Sequence, residues 1–228
     1  MAFRGYSGPR STGEAVSGII DFAVSRIRPV DSSKMKNSFD QGPESWHSYE
    51  YTASKACRTN IFILATWEKN GGVHDSGHIW CDESRWSIDT PEEPHSILPL
   101  LNYPAWYGCQ PPDMREAEVR VYLRGDGLEL HGAKCCFWVL SADPQARFHF
   151  TSQPLEIGDG AWPAEPSLIT LKNDPSAWHL SWAANPASPP LLDTALGHCQ
   201  SYGFSFLGFS REVTGRLSMD EFEIKLKG

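Results

Sequence analysis

The sequence predicts an all-β fold in which two antiparallel sheets pack face to face. After Asn37, short apolar segments, many of them alternating with polar residues, are separated by Gly, Pro, Asn and Asp, a pattern typical of strands joined by turns. Strand-like segments do not alternate with long helical ones, so a parallel sheet with crossover helices is not expected. A single jelly-roll sandwich is the simplest arrangement that satisfies both observations.

The 228-residue length suits one such domain preceded by a short extension. We predict that residues 1–36 form the extension and residues 37–228 the jelly-roll domain. In the extension, GEAVSGIIDFAVSRI places apolar residues at helical spacing, although its β-branched residues would also suit a strand. We predict a short helix there, which ends at Pro29.

Successive strands are predicted along the domain. NIFILATWE is expected to form one buried strand, and GHIWCD and RWSID two short ones. Residues 91–112 are rich in proline and aromatic residues and are predicted to form a long ordered loop. The C-terminal half is more regular, and its predicted strands are EVRVYLR, LELHGAKCCFWVL, RFHFTS, LITL, AWHLSWA, YGFSFLGF and GRLSMDEFEIKL.

Composition argues against several classes of partner. The formal net charge of −8 would repel phosphate groups, so we expect neither non-specific nucleic-acid binding nor binding to an anionic membrane. No apolar run approaches the ~20 residues that a membrane helix needs. The N-terminal residues do not resemble a secretory signal, and the six cysteines lack CxxC spacing, so we predict reduced thiols in a cytoplasmic protein.

Two short motifs carry a resemblance to a known family. NSFDQGPESW resembles the first strand of carbohydrate-binding modules with the galactose-binding-like jelly-roll, which commonly start with Asn-x-x-Phe-Glu-x-Gly and a tryptophan shortly after. GRLSMDEFEIKL is similar to their closing strand, in which Asp-Asp or Asp-Glu precedes an aromatic or aliphatic residue. The resemblance covers these two segments alone, and it implies a carbohydrate-binding jelly-roll.

The resemblance also implies a calcium ion, because the first and last strands of that family lie close together with a structural calcium near their ends. At the matching positions, Asp40 and Asp220 would supply carboxylates for Ca²⁺, with backbone carbonyls completing the oxygen ligands. Asp40 stands where the family often has Glu, which shortens its reach. The structural alternative is that Asp40 caps a turn and Asp220 is a solvated strand residue.

Side-chain alternation predicts a polar face on three strands. In EVRVYLR, the rule assigns Val119, Val121 and Leu123 to the core. Applied to EVRVYLR, CCFWV and RFHFT, the rule places on the non-core side Arg120, Tyr122, Arg124, Cys136, Trp138, Arg147, His149 and Thr151. If these strands share a sheet, one face presents arginine and aromatic side chains together. The alternative is that the arginines pair with neighbouring acids, namely Glu118, Asp126 or Glu129.

This face supports two functional hypotheses. The first is a protein that binds a carbohydrate or another polar, anionic small ligand, whose charge is held by Arg120, Arg124 and Arg147 and whose ring rests on Trp138. The second is an intracellular enzyme of the lyase, isomerase or cyclase type. There an arginine would neutralise a substrate carboxylate, and Tyr122 or His149 would act as acid or base.

Overall fold

The computed structural model describes residues 34–88, 96–107 and 109–227. Most of the predicted N-terminal extension, including its short helix, lies outside these residues. The first described strand begins at Lys34, three residues before the predicted start of the jelly-roll domain.

Within the described residues, fourteen strands form two seven-stranded sheets. The first sheet contains β1 (Lys34–Asn37), β4 (Thr66–Glu68), β5 (His78–Asp82), β7 (Glu118–Glu129), β10 (Gly158–Asp159), β11 (Ser167–Thr170) and β14 (Thr214–Lys225). The second sheet contains β2 (Trp46–Tyr49), β3 (Phe62–Leu64), β6 (Ser96–Asn102), β8 (Lys134–Ser141), β9 (Ala146–Leu155), β12 (Trp178–Ala183) and β13 (Cys199–Leu207).

The strand order follows from the pairing. The second sheet runs β12-β9-β8-β13-β6-β2-β3, and the path of the first is β10-β7-β14-β5-β4, with β1 beside β14 and β11 beside β7. The described strand pairs are antiparallel except for the short β10, which runs parallel to β7. The predicted fold class, an all-β sandwich of two antiparallel sheets, is confirmed.

Two short helices, α1 (Tyr51–Cys57) and α2 (Leu192–Gly197), connect strands of the sandwich. Within the residues that the structure describes, we find no helix with the length and apolar character needed to traverse a bilayer.

The core lies between the two sheets and contains the inward residues of both. Val119, Val121 and Leu123 are fully buried there, as the alternation of β7 predicts. The Phe222 ring on β14 meets the Trp46 ring on β2 edge to face, with the ring centroids 4.8 Å apart. Because these rings belong to opposite sheets, aromatic contacts hold the two layers together.

Four predicted elements differ from the structure. LELHGAKCCFWVL is not one strand, because β7 ends at Glu129 and β8 begins at Lys134 in the opposite sheet. NIFILATWE is not one strand, because the chain leaves the second sheet after Leu64 and enters the first at Thr66. RWSID forms no strand and contributes only an isolated bridge between Ile88 and Ile97. The predicted loop at 91–112 instead contains β6, which is buried along its whole length between β13 and β2.

Candidate functional site

The predicted arginine–aromatic face does not exist as one surface, because its strands belong to different sheets. β7 lies in the first sheet, whereas β8 and β9 lie in the second. The prediction that these side chains converge is therefore wrong. In the structure, the outer surface of the first sheet carries Arg120, Tyr122 and Arg124. The outer surface of the second sheet carries Trp138, Arg147 and His149.

On the first sheet, Arg124 is held in a local network. Its Nε donates to Asp126 Oδ2 at 3.2 Å, and its Nη1 donates to the Gly71 carbonyl at 3.2 Å. The guanidinium lies 4.6 Å from the ring centroid of Trp162, whose Nε1 donates to the same carbonyl at 2.8 Å. The Arg124 side chain is 17% exposed and makes an ion pair with Asp126. This is the alternative given above, in which the arginines pair with neighbouring acids.

Arg120 and Tyr122 form a similar pair on the same surface. The Arg120 guanidinium lies 5.4 Å from the Tyr122 ring centroid and donates to Glu221 Oε2 at 3.3 Å. Tyr122 is buried. Ligand binding by Arg120 and Arg124, and proton transfer by Tyr122, stay predictions, and the contacts of these side chains account for their positions without a ligand.

Asp220 is buried beneath the 71–76 loop and is not the solvated residue of the structural alternative. Its Oδ2 accepts hydrogen bonds from the Val73 N–H and the Ser76 hydroxyl, both at 2.7 Å, and its Oδ1 accepts one from the Glu221 N–H at 2.7 Å. Burial raises the pKa of the Asp220 carboxyl, and these hydrogen bonds oppose the shift. Asp220 therefore anchors the 71–76 loop on β14.

The surroundings of Asp220 do not fit a calcium site. Hydrogen-bond donors face both carboxylate oxygens, where a cation would need the same lone pairs. Asp40 is exposed and accepts a hydrogen bond from the Ser38 hydroxyl at 2.8 Å. Over residues 34–88, 96–107 and 109–227, no three His, Cys, Asp or Glu side chains are grouped to hold a metal ion. Calcium binding by Asp40 and Asp220 stays a prediction from resemblance.

The opening motif instead closes the turn between β1 and β2. The Glu44 carboxylate accepts hydrogen bonds from Asn37 Nδ2 at 2.8 Å and from the Phe39 N–H at 2.7 Å. Asn37 Oδ1 in turn accepts one from Trp46 Nε1 at 3.2 Å. The order of these residues in the sequence therefore brings an amide, a carboxylate and an indole together in one turn.

The outer surface of the second sheet carries the cation and aromatic rings that the first hypothesis requires. The Arg147 guanidinium on β9 lies 5.4 Å from the ring centroid of Trp138 on β8. Trp138 is buried and donates from Nε1 to the Phe204 carbonyl at 2.9 Å. Burial lowers the pKa of Arg147 to about 10, and the nearby Tyr49 opposes the shift, so the guanidinium stays protonated at neutral pH.

Trp182 extends this surface outward and was missed by sequence reasoning. It stands opposite Arg147 in the pairing of β12 with β9, so the two side chains share a face. The Trp182 side chain is 39% exposed. We call Trp138, Arg147 and Trp182 the arginine–tryptophan face. Strict alternation would put the Trp182 side chain on the same side of β12 as Trp178. The register of β12 against β9 shifts between Leu180 and Trp182, and this shift turns the Trp182 side chain to the other side.

His149 lies beneath this face and is fully buried. Its Nδ1 is 2.7 Å from the Ser205 hydroxyl, and its Nε2 is 2.7 Å from the Ser181 hydroxyl. Burial, and secondarily the positive charge of Arg147, lower the pKa of His149 well below its usual range, so the ring is neutral. Since both nitrogens are engaged, the geometry favours a structural role over the predicted acid–base role.

A cluster of aromatic rings covers the opposite edge of the same surface. The rings of Tyr103 and Trp106 stack with their centroids 4.4 Å apart, and Phe62 lies 5.0 Å from Trp106. These rings continue a buried apolar patch that includes Leu101 and Trp138. Trp106 is 50% exposed, so the surface has one exposed tryptophan near each edge of the sheet.

A cavity of about 330 Å³ opens on this surface beside the arginine–tryptophan face. We call it the Lys134 pocket, and its lining includes Gly132, Lys134, Cys136, Thr151, His179 and Gly208. Burial raises the pKa of the Cys136 thiol to about 11, so this thiol is protonated at neutral pH and is a poor nucleophile. The sequence reasoning placed Cys136 and Thr151 on the correct side of their strands but assigned no role to Lys134 or His179.

Comparison with known proteins gives likeness in structure alone. No protein-family model and no curated protein sequence matches the chain. An exo-β-agarase structure is similar at 13% identity and a TM-score of 0.46. The match covers 84% of this chain but only 25% of the agarase chain. A family 11 carbohydrate-binding module of a cellulosomal cellulase from Clostridium thermocellum is similar at 10% identity and a TM-score of 0.45, with 85% of this chain and 95% of the module covered.

The cleaved adhesin domain of Lys-gingipain from Porphyromonas gingivalis is also similar, at 13% identity and a TM-score of 0.36, with 86% of this chain and 99% of that domain covered. Carbohydrate-binding modules of family 11 are thus among the proteins that this chain resembles, as the two sequence motifs predicted. These likenesses concern the arrangement of strands and identify no residue of the site.

Proposed function

We propose that this protein binds a carbohydrate, or another polar ligand with an acidic group, on the outer surface of its second sheet. The observation that carries the proposal is the exposed Trp182 ring directly beside Arg147. An exposed indole offers an apolar platform to the C–H face of a sugar ring. The positive charge of the adjacent guanidinium favours a ligand with an acidic group.

The extent of the surface favours an oligosaccharide over a single sugar. Trp182 lies on β12 and the Trp106 cluster lies near β3, which are the two edges of the seven-stranded sheet. At a strand spacing of ~4.8 Å, these edges are about 29 Å apart along the sheet. Only a ligand of several sugar units is long enough to reach both exposed tryptophans.

The enzyme hypothesis draws no comparable support from the geometry. Tyr122 and His149, its two candidate acid–base residues, lie on different sheets, and both are buried. We therefore place binding, without covalent chemistry, at the second sheet.

Replacing Trp182 with alanine is expected to weaken oligosaccharide binding about tenfold, because loss of one stacking platform costs ~1–1.5 kcal/mol. A glycan array would first identify the ligand, and isothermal titration calorimetry would then compare its affinity for the two proteins. Trp80→Ala is the matched control, since Trp80 lies on the first sheet between the guanidinium groups of Arg85 and Arg216. The proposal is wrong if no glycan binds, or if Trp182→Ala binds its ligand as tightly as the parent.

A further inference from the structure

The Lys134 pocket is built from four neighbouring strands and two turns. Lys134 and Cys136 come from β8, and β9, β12 and β13 contribute Thr151, His179 and Leu207, while the glycines follow strands of each sheet. Its volume of about 330 Å³ falls at the lower end of the ~300–1,000 Å³ typical of small-molecule sites. The pocket is therefore large enough for a small ring and too small for a polymer.

The two glycines keep one side of the pocket open. Gly132 and Gly208 have φ values of +91° and +79°, which most other residues adopt only with strain. Within the described part of the chain, a Cβ placed on Gly208 would meet no atom within 4 Å, and one on Gly132 would meet only the Gly208 carbonyl oxygen, at 3.9 Å. Side chains at these positions would extend into the space that the turns leave free.

The polar groups of the pocket suit an anion that also carries hydroxyl groups. Lys134 contributes a cation, and none of the described lining residues carries a carboxylate. Among the described residues, His179 Nε2 is a buried polar atom without a hydrogen-bond partner, so a ligand oxygen would relieve a cost in free energy. The Thr151 hydroxyl donates to the Ala177 carbonyl at 3.4 Å and keeps its lone pairs for a ligand hydroxyl.

We propose that the Lys134 pocket is a binding site for a carboxylate-bearing sugar ring of the hexuronate class. Lys134 and His179 Nε2 hold the carboxylate, Thr151 accepts a hydrogen bond from a ring hydroxyl, and Leu207 contacts the apolar C–H face. This combination distinguishes a hexuronate from a simple anion, which would use only Lys134 and His179. The inference rests on the proposed function and specifies which carbohydrate the surface accepts.

The pocket is also placed to bind one unit of a longer ligand. Arg147, His149 and Thr151 alternate along β9 on the same side of the strand. At ~3.4 Å per residue, Arg147 and Thr151 are about 14 Å apart. An oligosaccharide on the arginine–tryptophan face could therefore insert an acidic unit into the pocket.

Free glucuronate is the probe for this site, and glucose is its neutral counterpart. We expect glucuronate, but not glucose, to shift the backbone amide signals of Gly132 and Gly208 in ¹H–¹⁵N NMR titrations of the intact chain. Lys134→Met should weaken glucuronate binding roughly tenfold, since it removes a charge-assisted hydrogen bond while keeping the length of the side chain. Thr151→Val should weaken it by a smaller factor.

Lys172→Met is the matched control, because Lys172 is an exposed lysine outside the pocket. The inference is overturned if glucose binds as well as glucuronate, if acetate alone binds equally tightly, or if Lys134→Met binds glucuronate like the parent. Trp182→Ala separates this result from the proposed function, since it should weaken oligosaccharide binding and leave free glucuronate binding unchanged. Glucuronate binding in the pocket without any oligosaccharide binding would disprove the proposed function and support a monosaccharide site.

Discussion

Asp220→Ala is expected to lower the free energy of unfolding by about 2–4 kcal/mol, measured by urea denaturation. The substitution leaves the buried Val73 N–H without its acceptor and removes one of the two acceptors of the Ser76 hydroxyl, the other being the Val73 carbonyl. Each unsatisfied buried donor costs ~1–3 kcal/mol. Loss of the desolvation cost of the carboxylate offsets part of this sum, because burial raises the pKa of Asp220 and so disfavours its charged form.

The loop backbone approaches the Asp220 carboxylate closely at this contact. A Cβ on Gly72 would stand 2.5 Å from Asp220 Oδ2, so the loop can approach the carboxylate this closely only because residue 72 is glycine. Cooperative loss of the 71–76 loop contacts would also free the Gly71 carbonyl, which accepts hydrogen bonds from Arg124 and Trp162. Asp220 therefore supports the charged network on the outer surface of the first sheet.

Asp40→Ala is the control, and we expect it to change the unfolding free energy by less than ~0.5 kcal/mol, as is usual for exposed positions. EGTA should leave the melting temperature of the parent and of both variants unchanged. The resemblance to carbohydrate-binding modules predicts the opposite result. If Asp40 and Asp220 bound one calcium ion, replacing either of them would lower the free energy of unfolding by a similar amount. Equal losses in the two variants, reproduced by chelation of the parent, would establish a cation shared by Asp40 and Asp220.

Acidification from pH 7 to pH 5 is expected to lower the free energy of unfolding by about 2 kcal/mol through His149 alone. The pKa of His149 is well below 6.5 in the folded protein, because the ring is buried beside Arg147. The unfolded chain therefore takes up a proton in this window while the folded chain does not. Stability from this residue is fully present above pH 6.5 and is lost progressively as the pH falls below it.

His149→Gln isolates this contribution, because glutamine can still hydrogen-bond to Ser181 or Ser205 but does not titrate. The variant should be less stable than the parent at pH 7, and the difference should shrink by about 2 kcal/mol at pH 5. Comparison of the two proteins is needed because burial also lowers the pKa of His47, His78 and His179. Parallel pH profiles for parent and variant would show that the pKa of His149 is the same in the folded and unfolded states, which would contradict the prediction.

The sequence predicted correctly those features that depend on neighbouring residues within one strand. Val119, Val121 and Leu123 are buried because side chains of an extended strand alternate between two environments. The same rule placed Trp138, Arg147 and Thr151 away from the core, where the structure has them. No contact between strands is needed for either prediction.

Local irregularities account for two features that the sequence did not predict, the strand β6 and the direction of the Trp182 side chain. Proline cannot donate to a sheet, and the prolines of residues 91–112 favoured a loop, yet Pro99 lies in β6, a central strand. The structure accommodates Pro99 where the register of β6 against β13 shifts, between Phe204 and Phe206. A similar shift in β12 turns Trp182 toward Arg147. Such shifts depend on the partner strand and leave no clear mark in the strand's own sequence.

The sequence by itself determined the fold class, the resemblance to carbohydrate-binding modules and the side of each strand that faces the core. Only the tertiary structure decided which strands share a sheet. β7 and β8 follow one another in the chain but belong to opposite sheets, so Arg120 and Arg124 are separated from Trp138 and Arg147 by the whole core. The physical reason is that alternation specifies burial along one strand, whereas a binding surface depends on hydrogen bonds between strands that are distant in sequence.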